Sequence, residues 1–287
     1  MFKSIMENGV DRKSALNALE NFIDTKLHNY ESKRNYDYGP SAHENVSLLS
    51  PYIRHRIITE EEVMAKAISK FPLPKIEKFI QEVFWRTYWK GWLELRPKVW
   101  TDYKELIKKN DINQIYERII SLNTGIDCFD SWTQELLETN YLHNHARMWY
   151  ASIWIHTLKL PWSLGADLFL NNLLDGDPAS NTLSWRWVAG IQTKGKSYLA
   201  KDWNIQKFTK NRFEPKESDF SAIPAKINYI EYKMNSIKFH ETNEFDWGQS
   251  GLLVTSEDMH VLSSNRINFP LQNAYILSLT DTEKASY

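Results

Sequence analysis

The chain has 287 residues, 42% hydrophobic and 25% charged, enough to build a sizeable core and to exclude disorder over most of its length. With 35 Lys+Arg against 36 Asp+Glu the formal net charge is −1, so no whole-molecule cationic field advertises a polyanionic partner, although a local basic face stays open. One cysteine, Cys128, excludes an intramolecular disulfide and any cluster held by several thiolates, and it suits a cytoplasmic protein.

Mean hydropathy is −0.52, and no stretch approaches the ~20 apolar residues that span a bilayer. The first residues, MFKSIMENGVDRKSA, are too polar for a secretory signal. The outstanding compositional feature is aromatic: of 12 Trp, eleven lie between Trp85 and Trp203.

In chain order, periodicity over the first 200 residues is helical. Asp11 caps a segment in which Leu16, Leu19, Phe22, Ile23, Leu27 and Tyr30 recur at three- and four-residue intervals. A turn-rich stretch, ESKRNYDYGPSAHENVS, follows. Thr59 with Glu62 forms a capping box that starts a short helix ending near Phe71-Pro72. Pro74 occupies the first turn of a long helix with Ile76, Phe79, Ile80, Val83, Phe84 and a Trp/Tyr-rich continuation. Asp111 is read as opening a helix with Ile112, Ile115 and Ile119, and Asp130 as opening another; Asn144 to Leu158 and Leu164 to Leu174 read as two more.

The character changes near residue 220. Residues 220–287 hold 5 Lys+Arg, 8 Asp+Glu and one Trp, so the negative charge sits in this tail. GLLVTSEDMHVL and NAYILSL are short apolar runs of strand length. The expected fold is mainly α: a helical domain over residues 1–219 and an extension over 220–287 with some β character.

Searches for GxGxxG, GxxxxGK[ST], HExxH and GxSxG find nothing, and the eight His are not spaced as a metal cluster, so no metal is expected. Chemistry concentrates in NHARM, Asn144 to Met148, and in LLDGDPASNTLSWRW, Leu173 to Trp187. Alone, DGDPASN reads as a polar turn between helices. Two carboxylates two residues apart, Asn181, and Trp185 and Trp187 flanking an arginine suit a planar, polar-edged ligand better.

The chain here resembles the FAD-binding domain of the photolyase/cryptochrome family. The likeness covers roughly residues 15–212 and rests on VSLLSPYI (Val46–Ile53), EVFWR (Glu82–Arg86), LHNHARMW (Leu142–Trp149), LPWSLG (Leu160–Gly165) and DGDPASNTLSWRWVAG (Asp175–Gly190), in the family's order. It implies FAD as cofactor. Ser47, Leu48, Leu49 and Ser50 match the diphosphate segment, with Val46 and Leu48 standing where a hydroxyl residue and Arg are common in photolyases. Tyr30 falls near a family FAD contact. Arg147 and Asp175 match an ion pair beside the isoalloxazine, Gly176 and Asp177 lie against the ring system, and Asn181 faces flavin N5.

Trp185 and Trp162 match the first two members of the family's electron-transfer chain; Tyr116, or Trp100 by another route, is left for the third. Glu82, Trp85, Arg86, Asn144, Met148 and Trp187 match residues around a flipped-out cyclobutane pyrimidine dimer, with Glu82, Asn181, Trp185 and Trp162 as the catalytic group. Members that act on (6-4) photoproducts carry His at the positions of Asn144 and Met148. The α/β antenna domain that precedes the family's FAD domain is expected to be absent.

Two functions are implied. One is light-driven, FAD-dependent repair of pyrimidine dimers in single- or double-stranded DNA. The other is a cryptochrome-like flavin photoreceptor or redox module that meets a protein partner through the acidic extension. Arg12, Lys13, Arg54, His55, Arg56, Arg86, Lys194, Lys196, Lys207, Lys210 and Arg212 are candidates for a DNA-facing surface.

Overall fold

A computed structural model describes residues 9–40, 42–110, 112–236, 251–260 and 273–276. Two apolar clusters organise it. The first forms around α1 (Arg12–Thr25), whose N-cap Asp11 accepts a hydrogen bond from Ser14 N at 2.7 Å, and α2, a single turn (Tyr30–Lys33). To it are added α3 (Ser50–Arg54), α4 (Glu60–Lys70) and the inner face of α5 (Leu73–Glu94). Leu19, Phe22 and Ile23 of α1 meet Val63 of α4 and Ile76, Phe79 and Val83 of α5 there. The Thr59–Glu62 capping box is present, and Pro74 sits in the first turn of α5, where its missing N–H costs nothing.

The chain then runs through α6 (Pro97–Lys108), α7 (Ile112–Ile120) and α8 (Asp127–Thr139). Asp111, expected to open α7, lies outside the described residues. Asp130 does not open α8: it lies in the first turn, where its carboxylate accepts from Thr124 N at 3.0 Å and Thr124 Oγ1 at 2.7 Å, so the same preference for an acid near a helix start is met one turn late.

The second, larger cluster packs α8 against α9 (Asn144–Ser152), α10 (Trp162–Asn172) and α11 (Pro178–Val188). At its centre Trp132, Trp149 and Trp154 are fully buried. The reading Asn144–Leu158 as one helix is corrected: α9 gives way to a π-helical turn over Ile153–Thr157, closed by Leu158 N donating to Ile153 O at 2.9 Å. A short helix, α12 (Asp202–Phe208), follows.

Beyond residue 219 the chain lies extended on the helices. Ser221 N donates to Thr157 Oγ1 at 3.1 Å, Ala225 N to His156 Nδ1 at 3.0 Å and Tyr232 OH to Asp102 Oδ2 at 3.0 Å. Two four-residue strands, β1 (Gly251–Val254) and β2 (Asn273–Ile276), pair in parallel. Of the described residues of GLLVTSEDMHVL, Gly251 to Val254 are strand; the next turn carries Ser256 to Met259 onto α3, where Met259 N donates to His55 O at 3.1 Å. Among the described residues no helix is long and apolar enough to cross a membrane.

Candidate functional site

The two clusters meet where α5 packs across the start of α11, and the joint is ionic. Asp177 is the N-cap of α11, accepting from Ser180 N at 2.7 Å. The same carboxylate, 1% exposed, accepts from Arg86 Nη2 of α5 at 3.0 Å and lies 3.9 Å from Arg54 Nε and 3.8 Å from Lys90 Nζ. A buried carboxylate needs this company, since an unpaired charge away from water is costly. Arg54 also donates from Nε to Gly176 O at 2.7 Å. A Cβ on Gly176 would stand 2.7 Å from Leu170 O, so only glycine lets the loop approach α10 this closely.

One turn away, both oxygens of Asp175 lie 3.0 Å from Arg147 Nη2, and Arg147 Nε donates to Leu142 O at 2.9 Å. Burial works to raise the Asp175 carboxyl, but the Arg147 charge, its hydrogen bond and the Ser50 hydroxyl outweigh it, so the group is held below its ordinary value. Ser50 is the first residue of α3. Before it, Leu48 adopts φ 55°, the left-handed region rare for a residue with a Cβ, and Leu49 N donates to Ser47 Oγ at 3.3 Å. Leu49 itself is fully buried in the first cluster, so only its backbone can face a ligand. Tyr30 packs edge-on against Phe79, ring centroids 5.4 Å apart.

Asn181 projects from the first turn of α11 and donates from Nδ2 to Ala166 O at 2.7 Å. One of its two N–H donors is used there, which leaves the second N–H and the acceptor Oδ1 for a ligand. Trp185 is 2% exposed and stands perpendicular to Phe169 at 5.1 Å and to Trp154 at 6.1 Å. Gly165 makes room for it: a Cβ there would fall 2.3 Å from Trp185 Cη2.

Trp162 leans on Tyr103 at 5.7 Å, and Tyr103 on Trp100 at 5.1 Å. A run of rings therefore leads from Trp162 to the half-buried Trp100 through Tyr103, a residue the sequence reading did not single out. Tyr116 is engaged elsewhere, its hydroxyl donating to Leu164 O and Asp167 Oδ2 at 2.9 Å each. Trp154 was also missed; both are apolar-face residues with no motif to mark them.

On the opposite wall Glu82 accepts from Arg34 Nη1 at 2.7 Å, while Trp85 is 48% exposed. Asn144 is exposed and Met148 half-buried at the start of α9. Trp187 stacks on Tyr198 at 5.6 Å. Five of the eleven basic residues expected to form a polyanion-facing surface are paired with carboxylates of the chain: Arg12 with Glu62, Arg56 with Asp258 and Arg212 with Asp37, besides Arg54 and Arg86. Among the described residues no group of three or more His, Cys, Asp or Glu is placed to hold a metal.

The site thus offers an Arg147–Asp175 pair, a second buried carboxylate, an amide oxygen, hydroxyls at a helix start, and two buried polar atoms without a protein partner, Arg54 Nη1 and Ser180 Oγ. This donor and acceptor set fits a flavin, a planar ring with polar edges carrying a diphosphate.

Comparison with known proteins agrees. Residues 79–218 match the family described as the FAD binding domain of DNA photolyase. The deoxyribodipyrimidine photo-lyase of Agrobacterium fabrum is 32% identical over 183 residues, 61% of this chain and 37% of that protein. That of Streptomyces griseus is 34% identical over 155 residues, 53% of this chain and 34% of that protein. The chain therefore spans between a third and two fifths of the length of these relatives. A class III photolyase structure from Agrobacterium tumefaciens superposes with TM-score 0.59 at 28% identity, over 69% of this chain and 42% of that one. A Synechocystis cryptochrome gives TM-score 0.60 at 20% identity, over 69% and 43%, a likeness of fold. By its motifs, its site and these matches, residues 79–218 are an FAD-binding domain of the DNA photolyase type, in a chain that shares the fold of photolyase and cryptochrome structures.

Proposed function

We propose that this chain carries out light-driven, FAD-dependent repair of cyclobutane pyrimidine dimers in DNA, as a deoxyribodipyrimidine photo-lyase, with residues 1–219 as the helical catalytic domain and 220–287 as its extension. The observation that carries this reading is the Arg86–Asp177 bond at 3.0 Å. It joins the helix bearing Glu82 and Trp85 to the helix bearing Asn181, Trp185 and Trp187, so that the proposed substrate wall and cofactor wall are braced as one unit.

When bound, reduced FAD supplies under light the single electron that splits a dimer. The chain's own residues do the rest. Arg147 and Asp175 would hold the polar edge of the ring, Asn181 would offer its amide there, and Ser47 and Ser50 would receive the diphosphate. Trp85 and Trp187 give flat faces for a flipped base pair, as an extruded nucleotide requires. Glu82 is held by Arg34 at the edge of that space, and Trp185 and Trp162 are the oxidisable rings toward the surface. Asn144 and Met148, in place of two His, favour cyclobutane dimers over (6-4) photoproducts.

The test is illumination of the reduced protein with dimer-containing oligothymidine, read as recovery of thymine absorbance. Equal binding of damaged and undamaged strands with no thymine restored would overturn repair. One observation favours a photoreceptor as the second reading: Glu257 of the acidic extension pairs with Arg54 and lies 3.5 Å from Lys90 Nζ, beside Asp177, where a partner that moved the extension would be felt.

A further inference from the structure

The outer face of α5 carries more aromatic surface than the proposed substrate wall uses. Trp85, Tyr88, Trp89 and Trp92 recur at the i, i+3, i+4, i+7 spacing that places residues on one helix face. Trp85 is 48% and Tyr88 54% exposed. Their rings touch in series: Trp85 stacks on Trp89 at 5.4 Å, and Tyr88 stands against both, at 5.4 and 5.1 Å. The Arg96 guanidinium covers Trp92, 4.4 Å from the ring centroid. A contiguous exposed aromatic patch of this kind marks a contact surface rather than ordinary solvent-facing chain.

Charge and position select the occupant. Lys78 lies seven residues before Trp85 on the same face of α5, and Arg96, just past the end of that helix, is brought to the face by its contact with Trp92. Neither is ion-paired to a carboxylate among the described residues: Lys78 donates to Gln81 at 3.0 Å and Arg96 rests on Trp92. The face is thus bracketed by cations at both ends, and it is continuous with the site through Trp85. At 1.5 Å per residue Trp85 and Trp92 are about 10 Å apart along the helix, the length of about three stacked nucleotides at ~3.4 Å each. A duplex hides its base faces against neighbouring pairs, whereas an unpaired strand presents them, which is what a row of rings can use.

We propose that this face is a stacking track for a short unpaired stretch of nucleic acid, about three nucleotides leading from Trp85 toward Arg96. The inference rests on the nucleic-acid reading above and extends it to strandedness. Its test needs no lesion: binding of undamaged oligothymidine, as a single strand and annealed to its complement, is measured by fluorescence anisotropy with the full chain. The wild type should prefer the single strand. Tyr88→Ala, at a site more than half exposed, should weaken single-strand binding about 5- to 150-fold, the effect of losing one stacked base, with the circular dichroism unchanged, while Tyr88→Phe retains it. Lys78→Gln with Arg96→Gln should lower the slope of log K against log salt by about 0.7 per charge.

Equal affinity for duplex and single strand would overturn the track. So would unchanged binding in Tyr88→Ala, or a Tyr88-dependent dimer in its place. Repair of dimers with Tyr88→Ala indifferent would remove the track and leave the repair reading standing; single-strand binding through Tyr88 without repair would do the reverse.

Discussion

Asp177 is where a single substitution should show how the two halves of the site are held. The carboxylate caps α11 and faces Arg86, Arg54 and Lys90 while 1% exposed. Asp177→Ala removes the cap, about 1 kcal/mol, and leaves buried guanidinium groups short of a counter-charge, about 3–5 kcal/mol when one member of a buried pair is truncated. Glu257 and Glu60 still neighbour Arg54 and Arg86, which favours the low end, so the expected loss is about 4 kcal/mol in all. That is a large share of the ~5–15 kcal/mol that keeps a domain folded. Asp177→Asn keeps an acceptor for Ser180 N but not the charge, and should recover only about 1 kcal/mol of the loss. Urea unfolding followed by far-ultraviolet circular dichroism measures both, with an unchanged m-value showing that the same surface is exposed. An Asn variant within about 1 kcal/mol of the wild type would refute the argument that charge, rather than the cap, braces α5 against α11.

Gly165→Ala should cost at least about 1–3 kcal/mol by overpacking against Trp185, and Trp185→Leu on top of it should relieve part of that cost; strictly additive losses would show that the indole is not the obstacle. Asp175→Ala should strip Arg147 of its partner and lower flavin retention, seen as a reduced ratio of flavin to protein absorbance after purification; full retention would disprove the assignment. Trp185→Phe, Trp162→Phe and Tyr103→Phe should each slow photoreduction of bound FAD by an external reductant, and unchanged rates in all three would send the electron by another path. Burial pushes the His143 imidazole down to about 4. The unfolded chain takes that proton near pH 6.5, so stability is full above about 6.5 and falls by up to about 3 kcal/mol as pH drops toward 4. His143→Asn, which preserves the N-cap of α9, should flatten the pH dependence of unfolding, and an unaltered profile would rule His143 out as its source.

The helical elements and the site loop were legible because each is announced locally: Asp11, the Thr59–Glu62 box and Pro74 are short-range signals, and Asp175, Asp177 and Asn181 share one motif. What sequence could not supply was long-range pairing. Arg86 and Asp177 are 91 residues apart, and nothing in either segment announces the other. Arg54, Arg86 and Arg212 read as surface cations because arginine usually is one; their carboxylates come from distant loops, turns and a helix cap. Tyr103 looked like any apolar position of α6 until Trp162 was seen beside it. The π-helical turn escaped notice because its residues fit a helical period as well as any.

That turn sets a length that cannot be shortened freely. Its wider loop holds one residue more than an α-helical turn, so deleting one residue would let α9 run on and rotate everything after it by about 100°. His156 would leave its place between Val188 O, 3.0 Å from Nε2, and Ala225 N, 3.0 Å from Nδ1. Because Ala225 N–H donates to Nδ1, the ring proton must sit on Nε2 and point at Val188, which fixes a single neutral tautomer. The imidazole is a rivet through three layers: the turn, the end of α11 and the extension. Removing that single residue would therefore unfasten the extension at Ala225 while leaving its bond from Tyr232 to Asp102 on α6 in place.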